Sequence, residues 1–273
     1  MKGAFLFGAA LALVALAGCT RQPSCRVEWP VMGTVASLVR RGGEPELAAA
    51  RDRAREVFAE VSKSLNAHDP ESELNRLAPL DEAEILSRCA ARMRACYAAA
   101  FALGRASGGA FAPRWQGARH LDLGAIAKGF AVDLAAESRS GSGEMLLDLG
   151  GNLKSVAGSW RTGVKDPDGG AEPVAEVELR AGEALATSAT YYRGRHIYDG
   201  RTLCPVTNGV KSVTVLHPTS AMMADGLSTT LFVLGPREGR EFLSRHAPEA
   251  SALWIMEGGG KSVFGSRFGV CPH

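Results

Sequence analysis

The sequence predicts a fold that mixes helices with short strands, in one large domain or two intertwined ones. Three observations predict it. Glu46 to Leu65 and Ile85 to Gly104 read as long helices, the first with Leu47, Ala50, Val57, Val61 and Leu65 on one apolar stripe. Val174 to Leu179 alternates apolar and acidic residues as a half-exposed strand does, and Val213 and Val215 alternate within Lys211 to His217. The chain has 273 residues and 46% hydrophobic content, ample for a packed core. Its formal net charge of +2, with no basic run, argues against a nucleic-acid partner.

The first residues read as an export signal rather than as fold. Met1-Lys2 precedes an almost wholly apolar run, Gly3 to Ala17, which is short for a membrane span of ~20 residues. Leu16-Ala17-Gly18-Cys19 resembles the bacterial lipobox, which implies cleavage before Cys19 and lipid on Cys19. The expected division is a signal peptide over 1–18, a tether over 19–26 and one domain over 27–273. Export would place the remaining cysteines where disulfides persist. Cys89 and Cys96 are expected ~10 Å apart along one helix, too far for a bridge. Cys25 and Cys271, at opposite ends of the mature chain, could staple the termini.

Taken in order, the part after Pro30 reads as a strand with Met32-Gly33-Thr34 near its start, and Met32 reads more readily as core than as ligand-facing. Asp69-Pro70 ends the first helix, with His68 as a loop histidine, and Ser72-Glu73-Leu74-Asn75 reads as a short helical turn. The second helix leads through Gly108-Gly109 into Phe111-Ala112-Pro113. Leu121 to Gly124 then ends an extended segment, after which Ile126, Phe130 and Leu134 recur at helical spacing. Asp122 and Gly124 are expected where that helix begins, with Asp122 as its cap. A helix start also suits an anion, because its free N–H groups and dipole face outward. Lys128 points away from the apolar stripe and can add a charge there. On these residues alone, a capped helix with a solvated lysine and a phosphate site both stay open.

Beyond it, Glu144 to Asn152 reads as a strand ending in a glycine turn, and Trp160 to Pro167 as another strand and turn. Ala184 to Tyr192 and Arg195 to Thr202 bracket a tight turn at Gly194. Met222 to Gly235 is a helix in which Asp225, Ser228 and Thr229 fall at i, i+3 and i+4 and so share a face. Their hard oxygens are of the type magnesium prefers, although an aspartate cap with two neighbouring hydroxyls has the same pattern. Ala252 to Met256 and Lys261 to Phe264 read as a closing hairpin.

Together these stretches resemble the ApbE family of flavin transferases. The matching pieces are Met32-Gly-Thr34, Ser72-Glu-Leu-Asn75, Asp122-Leu-Gly-Ala-Ile-Ala-Lys-Gly129, Asp148-Leu-Gly-Gly-Asn152, Thr187-Ser188, His196-Ile197 with Asp199 to Thr202, Ser212 to Val215, and Ala224 to Thr229. They keep the family's order across nearly the whole mature chain. The resemblance implies an α+β fold, T-fold-related, with mixed sheets and helices in two intertwined lobes. It implies a magnesium-dependent reaction that moves FMN from FAD to a threonine hydroxyl of an acceptor protein and releases AMP. It implies metal ligands at the Ala125 carbonyl, Asp225 and Thr229, with Ser228 beside them. It implies contacts to FAD from Met32, His68, Phe111, Asp122, Lys128 and Ile197, and His196 as general base. A lipoprotein on the periplasmic face of a membrane fits the same resemblance.

Departures from the family pattern concern the flavin side. His68 stands where a tyrosine is usual, Phe111-Ala112-Pro113 replaces Phe-Asp-Pro, and Asp199-Gly200-Arg201-Thr202-Leu203 replaces Asp-Pro-Arg-Thr-Gly. Eight residues separate Pro113 from Asp122, where the family has a long insertion. A hydrolase that splits FAD to FMN and AMP, and a non-enzymatic flavin-binding lipoprotein, are the alternatives to a transferase.

Overall fold

A computed structural model of the protein describes residues 24–41, 44–115, 120–139, 142–190 and 197–270. The expected signal peptide, Cys19, the turn at Gly194, His196 and Cys271 lie outside the described residues.

The chain opens with strands β1 (Ser24–Val31) and β2 (Thr34–Arg41), then helices α1 (Glu44–Ser64), α2 (Glu73–Leu77), α3 (Glu82–Arg88) and α4 (Arg94–Ala106). Two short strands follow, β3 (Arg114–Trp115) and β4 (His120–Leu121), and then helix α5 (Ala127–Glu137). Five strands come next: β5 (Met145–Leu149), β6 (Asn152–Ala157), β7 (Trp160–Val164), β8 (Ala175–Leu179) and β9 (Ala184–Ala189). After β10 (Tyr198–Asp199), β11 (Cys204–Pro205) and β12 (Val210–His217), helix α6 (Ala221–His246) leads to β13 (Ser251–Met256), β14 (Lys261–Phe264) and β15 (Gly269–Val270). The expected mixture of helices and sheets is therefore present. β1 begins at Ser24, inside the stretch expected as a tether, so its last residues pair in the sheet.

Eight strands form one antiparallel sheet in the order β1-β2-β5-β6-β9-β12-β13-β14. Alternation along its central strands explains what covers each face. Ala184, Ala186, Val213, Val215, Ala252 and Trp254 join the large apolar cluster with the helices. Leu185, Leu216, Leu253 and Ile255 point the other way, into a second cluster built with β7, β8 and Phe268. The small sheet β15-β8-β7 closes that second face. This is why β12 is buried nearly throughout rather than half-exposed. Among the described residues, no helix is long and apolar enough to cross a membrane.

Three local expectations change. Met32 and Gly33 are not within a strand: they form a two-residue hairpin turn between β1 and β2, with φ of 49° and 67°. Two positive φ values match the twist of the flanking strands, and Met32 occupies a conformation that costs a side chain energy. The single helix expected over 85–104 is two. The chain is extended at Cys89, and the Ala90 N–H donates to Glu73 Oε2 at 2.9 Å instead of to a helical carbonyl. Cys89 and Cys96 thus sit in different elements, both buried and without a disulfide. Finally, α6 continues past Gly235 after a break at Gly235-Pro236. Proline offers no N–H to the preceding turn. The carbonyls released are taken by side chains: Trp254 Nε1 donates to Leu231 O at 3.1 Å, and Asn208 Nδ2 to Phe232 O at 2.9 Å and Val233 O at 3.1 Å.

Candidate functional site

The sheet register gathers most of the motifs at one end. The turn Met32-Gly33 caps β1 and β2 there, since Val31 pairs with Thr34. Ala36 pairs with Leu149, so the Gly150-Gly151 turn between β5 and β6 lies at the same end, with Gly150 N donating to Val35 O at 3.1 Å. Both glycines have positive φ, and Gly150 has no room for a Cβ against the Thr34 side chain. Asp148 Oδ1 accepts from Gly151 N at 2.8 Å, and burial pushes its carboxyl above the usual carboxylate range. Asn152 then pairs with Ala186, which brings Ser188 of β9 to this end.

Helix α6 supplies the carboxylate. Its own N-cap is Ser220, whose hydroxyl accepts from Met223 N at 3.1 Å, so Asp225 is not the cap of its own helix. Asp225 instead caps α5: its Oδ2 accepts from Gly129 N at 2.9 Å. The expected cap, Asp122, plays no such part. The helix starts at Ala127, and Asp122 Oδ1 closes a local turn by accepting from Gly124 N at 2.7 Å. Only glycine fits at 129, because a Cβ would overlap the Ala221 carbonyl and lie 2.7 Å from Asp225 Cβ. The capping is reciprocal. Asp133 of α5 accepts from Ser220 Oγ at 2.7 Å and from Ala221 N and Met222 N at 2.9 Å each, so it caps α6. Lys154 of β6 neutralises it at 2.7 Å. Two helices distant in sequence are thereby fixed end to side, and Asp225 with them.

Burial pushes the Asp225 carboxyl above the usual range, while the Lys128 charge and the Gly129 N–H pull it back. Lys128 is half-buried and donates to Gly124 O at 3.1 Å. One helical turn beyond Asp225, Ser228 Oγ lies 2.8 Å and Thr229 Oγ1 3.0 Å from Ser188 Oγ. Ser228 Oγ also donates to the Asp225 carbonyl at 2.8 Å. The shared face read from the i, i+3, i+4 spacing is therefore real, and β9 adds a third hydroxyl to it.

The other expected site residues are placed as follows. Ala125 is half-buried just before α5. Met32 is half-buried against the large cluster, and His68 is exposed in the loop after α1, its N–H on Asn66 Oδ1 at 3.0 Å. Phe111 and Ile197 are core residues. Among the described residues, no hydrogen bond joins Met32, His68, Phe111 or Ile197 to the Asp225 cluster. Two departures from the family pattern meet: a Cβ at Gly200 would overlap the Ala112 side chain, and Gly200 N donates to Ala110 O at 3.3 Å. A proline at 200 would lose that bond. Leu203, in the position of a usual glycine, keeps a positive φ of 59°.

A cation can be held by this donor set. Asp225 Oδ2 is engaged by Gly129, and among the described residues its other carboxylate oxygen has no hydrogen bond. No cluster of three His, Cys, Asp or Glu occurs among the described residues. The set is one carboxylate with hydroxyl and carbonyl oxygens, which suits a small hard cation that keeps waters or shares phosphate oxygens. It does not suit zinc, which takes four nitrogen or sulfur ligands in structural sites. A cavity of about 400 Å³ beside the β7–β8 loop, lined in part by Lys165, Asp166 and Glu172, touches none of these residues.

Sequence reasoning missed Ser188 as a partner of the cluster, Asp133 as a cap and Gly129 as a contact. Ser188 and Gly129 stood inside quoted motifs and Asp133 one turn beyond one, but their partners are 40 or more residues away.

Comparison with known proteins supports the resemblance read from the motifs. The FAD:protein FMN transferase of Rhodobacter capsulatus is 40% identical over 133 residues, covering 43% of this chain and 25% of that protein. The FAD:protein FMN transferase of Treponema pallidum is 35% identical over 165 residues, covering 52% and 45%. The enzyme of that name from Klebsiella pneumoniae is 34% identical over 152 residues, covering 52% and 47%. The chain thus spans half or less of the length of the curated relatives it matches. The solved flavin transferase ApbE from Vibrio cholerae superposes with a TM-score of 0.73 at 22% identity, covering 89% of this chain and 98% of that one. The ApbE protein of Thermotoga maritima gives 0.72, also at 22%, covering 88% and 96%. At that identity the superpositions establish the fold. The ApbE family profile matches residues 114–254, just over half of the sequence and the stretch that holds both capped helices, and the chain belongs to the ApbE family.

Proposed function

We propose that the protein is a magnesium-dependent FAD:protein FMN transferase. The observation that carries this reading is the buried Asp225 carboxylate with the Thr229 hydroxyl on one helix face, beside Lys128 and the start of α5. In the reaction, a threonine Oγ of the acceptor protein forms a bond to the phosphorus of the FMN half of FAD. The bond from that phosphorus to the AMP oxygen breaks, and its electron pair leaves with AMP. The hydroxyl proton passes to His196, a residue type suited to general-base chemistry. Asp225, Thr229 and the Ala125 carbonyl would hold magnesium, which supplies charge neutralisation at the diphosphate. Lys128 binds a phosphate oxygen, aided by the dipole of α5. The sulfur-bearing turn at Met32 and the core residues Phe111 and Ile197 back the flavin side, with His68 at its rim.

Incubation with FAD, magnesium and a threonine-bearing acceptor domain tests this. Covalent flavin fluorescence on the acceptor, with AMP released in equal amount, is the expected result. Free FMN and AMP without labelled acceptor would make the protein a hydrolase, and neither would leave a flavin-binding protein.

We also propose that the protein works at the periplasmic face of a membrane, held by lipid on Cys19. The support is the lipobox-like Leu16 to Cys19 after an apolar run.

A further inference from the structure

We propose that Ser188 is a positioning residue that turns the Thr229 hydroxyl so that its lone pairs face the cation. The inference rests on the reading of Asp225 and Thr229 as cation ligands. It follows from where three protons must go. A main-chain carbonyl can only accept, so the 2.8 Å bond between Ser228 Oγ and Asp225 O uses the Ser228 proton. The 2.8 Å contact between Ser188 and Ser228 must then use the Ser188 proton. The 3.0 Å contact between Ser188 and Thr229 must in turn use the Thr229 proton. The relay runs Thr229 to Ser188 to Ser228 to the Asp225 carbonyl, and its direction is fixed by its last acceptor.

The consequence is chemical. A free hydroxyl rotates among several acceptors and must be turned before its lone pairs serve a cation. Thr229, with its proton held by Ser188, presents oxygen only. Without Ser188, the Thr229 hydroxyl turns to the Asp225 carbonyl one turn back, the ordinary alternative on a helix surface. It would then share that carbonyl with Ser228 and draw Oγ1 towards the helix. Outer partners of metal ligands typically change metal affinity ~10–100-fold. Ser228 is completely buried, which shields the inner end of the relay from water, while Ser188 and Thr229 are half-buried.

The test is a magnesium titration of FAD binding by the full chain, followed by flavin fluorescence with no acceptor present. Ser188→Ala should raise the half-saturating magnesium ~10–100-fold while FAD affinity at saturating magnesium is kept. Ser188→Thr, which retains the hydroxyl, should stay near the unsubstituted protein. Ser228→Ala removes the relay's end and should raise the requirement in the same direction. Melting temperature identifies any variant that fails to fold, and Ser228→Ala then carries the test. If Ser188→Ala and Ser228→Ala leave the magnesium requirement unchanged while Asp225→Ala and Thr229→Ala abolish it, the positioning role is overturned and the cation site stands. If Asp225→Ala and Thr229→Ala also leave it unchanged, the cation site itself falls, and the relay's role with it.

Discussion

His217 shows how much a single side chain can decide at the foot of α6. It is buried, and its Nδ1 accepts from Thr219 N at 3.3 Å and Ser220 N at 3.1 Å. A ring nitrogen that accepts cannot carry a proton, so the neutral form is the one that fits. Burial pushes its pKa below the ordinary value of 6.5; Glu249 and Asp133 oppose that shift and Lys154 adds to it. The depressed folded value sets the sign. The unfolded chain takes up this proton first as pH falls, so the stability that neutral His217 contributes is present above pH 6.5 and is lost on acidification through its folded value. One proton can tilt stability by at most ~1.4 kcal/mol per pH unit. Thermal melts between pH 8 and pH 5 should show a steeper loss for the unsubstituted protein than for His217→Asn, whose amide oxygen can accept the same N–H groups. Parallel curves would mean that His217 does not titrate in this window. Nothing in the local sequence pointed to this role, since a histidine at a strand end gives no sign of a helix start folding back onto it.

At the scale of elements, the reciprocal capping of α5 and α6 sets the site. Asp133 accepts from three donors at the start of α6 and pairs with Lys154, with both side chains largely shielded. Asp133→Ala leaves those donors and the Lys154 charge without their partner, which should cost ~3 kcal/mol or more. Because α6 carries Asp225 and Thr229, the same variant should also raise the magnesium requirement for FAD binding. Differential scanning calorimetry and the fluorescence titration measure the two effects, and a normal melt would refute the capping role. The helices themselves were legible from apolar spacing, because a stripe is a local property. So was the common face of Asp225, Ser228 and Thr229. The two choices left open in the sequence, cap or ligand at Asp225 and capped helix or anion site at α5, were not exclusive. Asp225 caps a helix other than its own, and no local pattern can register a cap that arrives from 96 residues away. The break at Cys89 escaped for the same reason, since the competing acceptor is Glu73 of another helix. The β1–β2 hairpin escaped because its turn holds Met32, which lacks the usual preference for positive φ.

For the whole molecule, the ordered motifs made the architecture legible, and the eight-stranded sheet explains their order. Its register draws the hairpin turns at Met32 and Gly150 and the end of β9 together, while α6 runs back along β9 to deliver its hydroxyls. Segments that meet at one end of the sheet are thus spread along the chain. The proposed anchor belongs to this scale too. Cys19→Ser should release the protein from the membrane fraction or leave its signal uncleaved, as fractionation and mass measurement of the mature chain will show. Unchanged processing and fractionation would remove the lipid from the account.

The central claim is that Asp225 holds a cation for FMN transfer and not merely the start of α5. Asparagine separates the two functions, because its amide oxygen can still accept from Gly129 N while the charge is lost. The decisive measurement is covalent FMN transfer to an acceptor domain by Asp225→Asn at saturating magnesium, with its melting temperature taken alongside. Loss of charge stabilisation worth several kcal/mol should lower transfer by at least ~10²-fold. Without magnesium the melt should be unchanged or higher, since a carboxyl that burial pushes upward costs energy to ionise. A variant that transfers FMN at the unsubstituted rate would contradict the account.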